Sequence, residues 1–251
     1  VNLQALGEGE ISYTSQDIYF WGDTIEISAT PKEHWYFSHW EANTQIDDIS
    51  SSSTQLVINQ DSEIRAIFNK VQYQIDVNAT PANYGTATQP SQTYSYGDSV
   101  TLTASPAIGK KFNEWTEIEN LSFNDPEDRF NEKATFTVLG EAKVNAFFSK
   151  IPIQVGIEII SLDQNNNPII GDIGGSINLP STIYHGDNVS LDLNLSAGYS
   201  LLHWVDLDTG LPISSQNNLS FSATHDRNIQ VLLRKLHYQL DLSQTTGGSC
   251  V

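Results

Sequence analysis

Polar and apolar residues alternate over short runs along this chain. Val100-Thr101-Leu102-Thr103-Ala104 sets Val, Leu and Ala on one side and Thr on the other, and Ile25-Glu26-Ile27-Ser28-Ala29 and Val189-Ser190-Leu191-Asp192-Leu193 repeat the arrangement. A period of two gives a strand with one packed face and one wet face. The Val, Ile and Thr that fill these runs favour extended backbone. Strand is therefore predicted nearly everywhere. No segment offers three clean turns of amphipathic helix. The best candidate, 117–133, is interrupted by Pro126 and reads as an acidic loop with a short turn.

The runs sit in a larger pattern written three times. Tyr19-Phe20-Trp21-Gly22-Asp23 precedes the first, Tyr94-Ser95-Tyr96-Gly97-Asp98 the second and Ile183-Tyr184-His185-Gly186-Asp187 the third. Each Gly is followed 18 residues later by a Trp: Trp40, Trp115 and Trp204. Each copy closes on a related strand, 64–70, 144–150 and 229–235, ending in Lys70, Lys150 and Lys235. Repetition at this scale predicts an array of small modules rather than one site assembled from the whole chain. The Gly-Asp dipeptide marks a tight turn, with Gly free to take a positive φ.

The pattern divides the chain into module 1 (1–70), module 2 (71–150), module 3 (151–235) and the opening strand and turn of a truncated fourth (236–251). The linkers around Val71-Gln72 and Ile151-Pro152 hold two to four residues and no Gly/Ser run, so semi-rigid beads in an elongated array are expected. The chain starts on Val1, not Met, and is expected to be a piece of a longer protein. Cys250 is its only cysteine, so no internal disulfide and no thiolate zinc site can form.

Thirty acidic residues oppose twelve basic ones, and the three stretches 1–72, 73–150 and 151–251 carry net charges of −8, −4 and −6. Such a chain repels nucleic acid, which needs clustered Lys and Arg. No apolar run is long enough to insert in a membrane.

In module 2 the composite reads Tyr96-Gly97-Asp98, Val100, Leu102, Ala104, Pro106, Gly109, Phe112, Trp115 and Ala146-Phe147-Phe148. Module 3 keeps Gly198-Tyr199 and Trp204 but has Leu201 for Phe112, and module 1 has His34-Trp35 where Gly-Tyr is usual. The composite resembles the divergent internalin-type B-repeat, a bacterial extracellular repeat module. The resemblance implies an all-β fold related to β-grasp arrangements, a place in spacers and stalks of secreted or surface proteins, and no catalytic role.

The three repeated Trp residues, each with Phe37, Phe112 or Leu201 three positions earlier, read as core anchors. Trp21, Trp35 and Tyr199 do not recur and are the candidates for stacking on a surface polysaccharide or host glycan. Asp163-x-Asn165-x-Asn167 resembles the first half of a calcium loop, and Asp206-x-Asp208 is a shorter variant. Pro168 stands where the central Gly of such a loop belongs, and turns select the same residues for conformational reasons alone. The carboxylates Glu114, Glu117, Glu119, Asp125, Glu127 and Asp128 have no cleft implied around them, and no nucleophile elbow or phosphate loop is present.

The reading is a non-catalytic spacer or stalk segment at the bacterial surface that projects an adhesive or enzymatic domain, with neighbouring repeats as its first partners. The alternative is an accessory carbohydrate- or host-glycan-binding module. Calcium is the one ion considered, and no other cofactor is expected.

Overall fold

A computed structural model describes residues 1–14 and 18–240. The expected fourth module falls largely outside them, including Cys250 and the turn at 247–251. The fold is all-β, with small, largely antiparallel sheets in tandem.

The first stretch folds as β1 (Asn2–Leu6), β2 (Gly9–Tyr13), β3 (Thr24–Pro31), β4 (Trp35–Ala42), β5 (Ser53–Val57) and β6 (Glu63–Lys70). These form two three-stranded sheets, β1-β6-β4 and β2-β3-β5. The second stretch contains β7 (Ile75–Thr80), β8 (Gly85–Thr88), β9 (Ser99–Pro106), β10 (Lys110–Phe123), a 3₁₀ turn (Pro126–Phe130) and β11 (Lys133–Lys150). Here the 18-residue β11 runs unbroken, pairing β9 near its start and β7 near its end.

The third stretch holds β12 (Pro152–Ile153), β13 (Val155–Leu162), β14 (Gly175–Ile177), β15 (Ile183–Tyr184), β16 (Asn188–Leu195), β17 (Tyr199–Asp206), β18 (Leu211–Ser214), β19 (Asn218–Ser222) and β20 (Arg227–Lys235). Its main sheets are β13-β20-β17-β18 and β14-β16-β19. In every stretch the opening strand lies parallel to the closing one: β1 with β6, β7 with β11, β13 with β20. The resemblance implied a relation to β-grasp arrangements; no α-helix crosses a sheet among the described residues.

The expected acidic loop after Trp115 is instead strand as far as Phe123. Leu121 is buried and Ile118 and Phe123 pack on the core, so apolar burial outweighs the Glu117 and Glu119 between them. Glu117 and Asn120 take positive φ, which breaks the regular alternation there. The short turn at Pro126 is present as a 3₁₀ segment, capped by the Asp125 carboxylate on the Glu127 N–H.

Three separate hydrophobic clusters form, one per stretch, each around its Trp. By contacts the chain gathers into two compact units. One comprises Val1–Ala107 with Phe112–Ser149 and so holds two clusters; the other comprises Ile108–Lys111 and the chain from Lys150 onward.

Trp40, Trp115 and Trp204 are at most 1% exposed. Their indole N–H groups donate to the backbone oxygens of Ser51 (2.9 Å), Asn131 (2.9 Å) and Gln216 (2.8 Å). The carbonyl of the very next residue accepts from a strand N–H in each case: Ala29 to Ser52, Ala104 to Glu132, Leu193 to Asn217. The variable loop after each Trp is thus tied at its far end by two adjacent carbonyls, whatever its length. Phe37 meets Trp40 and Phe112 meets Trp115 with ring centroids 5.3 and 5.4 Å apart. Residues three apart on one strand face opposite sides unless the strand bulges. The register shifts between Phe37 and His39, and again between Leu201 and His203, supply that bulge.

Trp115→Phe keeps an aromatic core residue but leaves the Asn131 carbonyl without its donor. It should lower unfolding free energy by roughly 1–3 kcal/mol, for the lost hydrogen bond and the smaller ring in a closed core, read from urea unfolding of the chain.

Candidate functional site

The Gly-Asp turns have one construction. Asp23, Asp98 and Asp187 donate their N–H to the oxygens of Phe20, Ser95 and Tyr184 at 3.0–3.1 Å, closing four-residue turns. The third residue of each is Gly with φ of 84–90°, which defines a type II turn. No neighbour crowds these glycines, so the requirement is φ alone. The Asp carboxylate then accepts the N–H of the first turn residue at 2.7, 2.8 and 2.9 Å. The turn therefore presents its second residue, Trp21, Tyr96 or His185, in one fixed attitude.

Within the first compact unit, Tyr96 meets His34. Their rings stack in near-parallel planes 3.8 Å apart, and the His34 Nδ1 lies 2.8 Å from the Tyr73 hydroxyl. Tyr73 approaches the same imidazole edge-on at 6.0 Å. His34 sits at the tip between β3 and β4 with a φ of 66°, a left-handed conformation that turns its ring outward. An imidazole from one repeat is held between two tyrosines of the next.

The linker between β6 and β7 is stitched to both sides of this contact. The Val71 N–H donates to the His34 carbonyl at 2.9 Å. Tyr73 and Tyr94 exchange two backbone bonds, 2.7 and 3.0 Å. The Gln72 amide donates to Ser95 Oγ and accepts from Thr93 Oγ1, both at 2.9 Å. The same bonds recur in the second compact unit: Ile151 N–H to the Gly109 oxygen, His185 N–H to the Ile151 oxygen, and β12 on β15. Leu236 N–H likewise donates to the Gly198 oxygen at 2.7 Å. His34, Gly109 and Gly198 hold one position, all with positive φ. A side-chain carbon at Gly109 would fall 2.7 Å from the His185 ring, so that pair is in close contact too.

The glycan candidates are scattered among different surroundings. Trp21 is 83% exposed. Trp35 is half-buried against its own core, with the Lys70 ammonium 5.9 Å from the ring centroid. It lines a cleft of about 550 Å³ with Lys32, Glu33, His34, Lys70 and Tyr96. Tyr199 occupies Trp35's place in the third stretch, 5.7 Å from the Lys235 ammonium, and its hydroxyl donates to Asp172.

The calcium candidates lie on two different turns. Asp163 Oδ1 accepts from the N–H groups of Asn165 and Asn167 at 2.8 Å each, and its other oxygen takes the Asn167 amide. Those N–H groups hold the Asp163 carboxyl below the usual range. Asp206 is buried, accepts from the N–H groups of Asp208 and Thr209, and forms an ion pair with Arg227 at 3.0 Å. A cation at either place would have to displace these donors. Among the described residues no group of three or more His, Cys, Asp or Glu is arranged to hold a metal, and no helix is long and apolar enough to cross a membrane.

The family described as the divergent InlB B-repeat domain matches residues 1–72 and again 75–152. The chain belongs to that family. It is a repeated, non-catalytic, all-β module of a bacterial extracellular, surface-protein kind. The two matched B-repeats abut at Tyr73 and Gln74, inside the stitched linker. The stretch from 153 onward lies outside the match yet repeats the B-repeat turn, Trp bond and linker bond. No curated protein matches the chain. Among solved structures it is similar to the Bacillus anthracis TIE protein, at 8% identity over 84% of this chain and 43% of that one, with a TM-score of 0.31. It is also similar to domains A168–A170 of titin, at 9% identity over 87% and 88% of the two chains, with a TM-score of 0.14. At these scores neither likeness bears on fold or function. The chain spans less than half of the TIE chain.

Asp172 gathers Lys235 (2.8 Å) and the Tyr199 hydroxyl. Lys235, and then Tyr199, lower the Asp172 carboxyl; Asp172 in turn raises Lys235. The depressed carboxyl contributes stability above the ordinary carboxylate range that is lost as pH falls through its native value. The raised ammonium contributes below the ordinary lysine range and loses it as pH rises through its native value. Asp172→Asn should flatten both limbs relative to wild type, as read from melting temperature against pH, with a small effect because the pair is solvated.

Proposed function

We propose that the chain is a spacer segment that projects an adhesive or enzymatic domain of a larger surface or secreted protein, with modules at 1–70, 71–150 and 151–235. The observation that carries this reading is the linker at 70–74. It is bonded to the turn behind it through Val71 and to the strand ahead through Gln72 and Tyr73, and an aromatic stack crosses the same point. A tether needs none of these bonds; a strut needs them all. The acidic surface keeps parallel copies soluble and apart.

Small-angle scattering tests the reading. An elongated particle with a persistent inter-module distance is expected, and four Gly/Ser residues inserted after Gln72 should broaden the distance distribution. A compact globule, or an unchanged distribution after insertion, would count against it. Running the same samples with calcium and with chelator addresses Asp163, Asn165, Asn167, Asp206 and Asp208: identical curves are expected, and elongation confined to the calcium sample would make them ligands that set stiffness.

The second reading, an accessory glycan-binding module, is favoured by the cleft beside Trp35. A half-buried indole with Lys70 beside it suits a sugar ring. On this reading, binding on a glycan array should fall at least tenfold in Trp35→Ala, as expected when a stacked aromatic worth upwards of about 1.4 kcal/mol is removed. No binding by wild type leaves the spacer alone.

A further inference from the structure

The second residue of the Gly-Asp turn is the same structural position in every repeat, but its surroundings differ. Tyr96 is stacked on His34 of the preceding repeat, and His185 lies against Gly109, a glycine in the same turn position as His34. Tyr96, stacked on one face only, keeps 47% exposure, while the residue before it is covered, since Ser95 is 7% exposed and takes the Gln72 amide. In the first repeat these positions are Phe20 and Trp21, at 70% and 83% exposed, with Ile18 at 67% beside them. Three large apolar side chains within four residues of chain are thus exposed, at the place where the next repeat receives its neighbour.

We propose that the Ile18–Phe20–Trp21 face is a docking surface whose occupant is the turn between the third and fourth strands of another B-repeat, the equivalent of residues 31–35. The turn is rigid by construction: Gly22 at positive φ, the Asp23 carboxylate on the Phe20 N–H, and the Gly22 N–H on the Ile58 oxygen. Its attitude is therefore set before any partner arrives. The partner is recognised by a left-handed residue at the tip of that turn, which presents either a flat imidazole, as His34 does, or a bare backbone, as Gly109 and Gly198 do. An indole spans more area than the Tyr96 phenol and covers either. The linker carbonyl bond that accompanies each such contact supplies the register. The same geometry makes Trp21 a residue for repeat-to-repeat contact rather than a sugar platform. This inference rests on the junction invoked for the spacer, but it concerns contact and not stiffness, so scattering and the following experiment can fail separately.

The register for a test follows from the parallel pairs. Leu3 faces Ile64 in the first repeat as Val77 faces Val144 in the second, so Val1 takes the place of Ile75. A chain with residues 1–74 placed ahead of Val1 reproduces the native linker, and Trp21→Phe in the added copy leaves one indole at this position. Oxidative footprinting by mass spectrometry should show Trp21 oxidised about half as fast as in the 251-residue chain, in line with 47% exposure of the seated Tyr96 against 83% for Trp21, with exposure returning when the added copy carries His34→Ala. Trp21 oxidised at its original rate in a folded fusion would overturn the proposal. Tyr96→Trp in the original chain gives an independent reading without any added module. The introduced indole, seated on His34, should be protected relative to Trp21 of the same molecule, and equal rates would overturn the claim that the seat accepts an indole.

Discussion

Each repeat depends on one buried indole N–H. A Trp in a small core contributes more apolar area than any other residue, but it also carries a donor that must be met. Here the donor is met by a backbone oxygen at the far end of the loop that follows it, and the next carbonyl is taken by the neighbouring strand. The loop can be short, as after Trp40, or carry a 3₁₀ turn, as after Trp115, while its exit stays in place. That arrangement separates what must be constant from what can vary, and it explains how loops of different length leave the same small core closed.

The turn ahead of the core has the same logic. Gly supplies the φ and Asp closes the turn on itself, so the residue between the preceding strand and the Gly is displayed rather than buried. Core and junction are therefore coupled: the strand that leaves the Gly-Asp turn packs on the Trp, and the residues displayed by the second and third turns, Tyr96 and His185, meet His34 and Gly109 of the repeat before. The linker bond to the turn between β3 and β4 then ties the chain direction to the same contact.

Much of this was legible in the sequence. The alternating runs became β3, β9 and β16 with Ile25, Leu102 and Leu191 inside, and the repeated Trp residues became core. What was not legible has physical causes. Phe37 and Trp40 share a face only because the strand bulges between them, and a bulge has no side-chain signature. The run from Glu117 to Phe123 looked like acidic loop because charge was weighed above Ile118, Leu121 and Phe123, which are spaced to reach the core. His34 read as one scattered histidine. Its role was visible only by laying the three turn positions beside each other, where a left-handed residue recurs opposite an aromatic or imidazole. The calcium-like Asp163 and Asp206 turns show how one composition serves two ends, since carboxylates that could face a cation accept backbone N–H groups instead.

The parallel pairing of first and last strands carries a mechanical meaning. In each repeat the chain enters along one strand and leaves along its immediate neighbour, pointing the same way, over five, six or eight paired residues. A pull on the two ends of such a repeat slides the pair lengthwise. The cross-strand bonds then share the load together rather than opening one after another as in a zipper. A repeat loaded at its two ends meets force in the direction in which its sheet resists most.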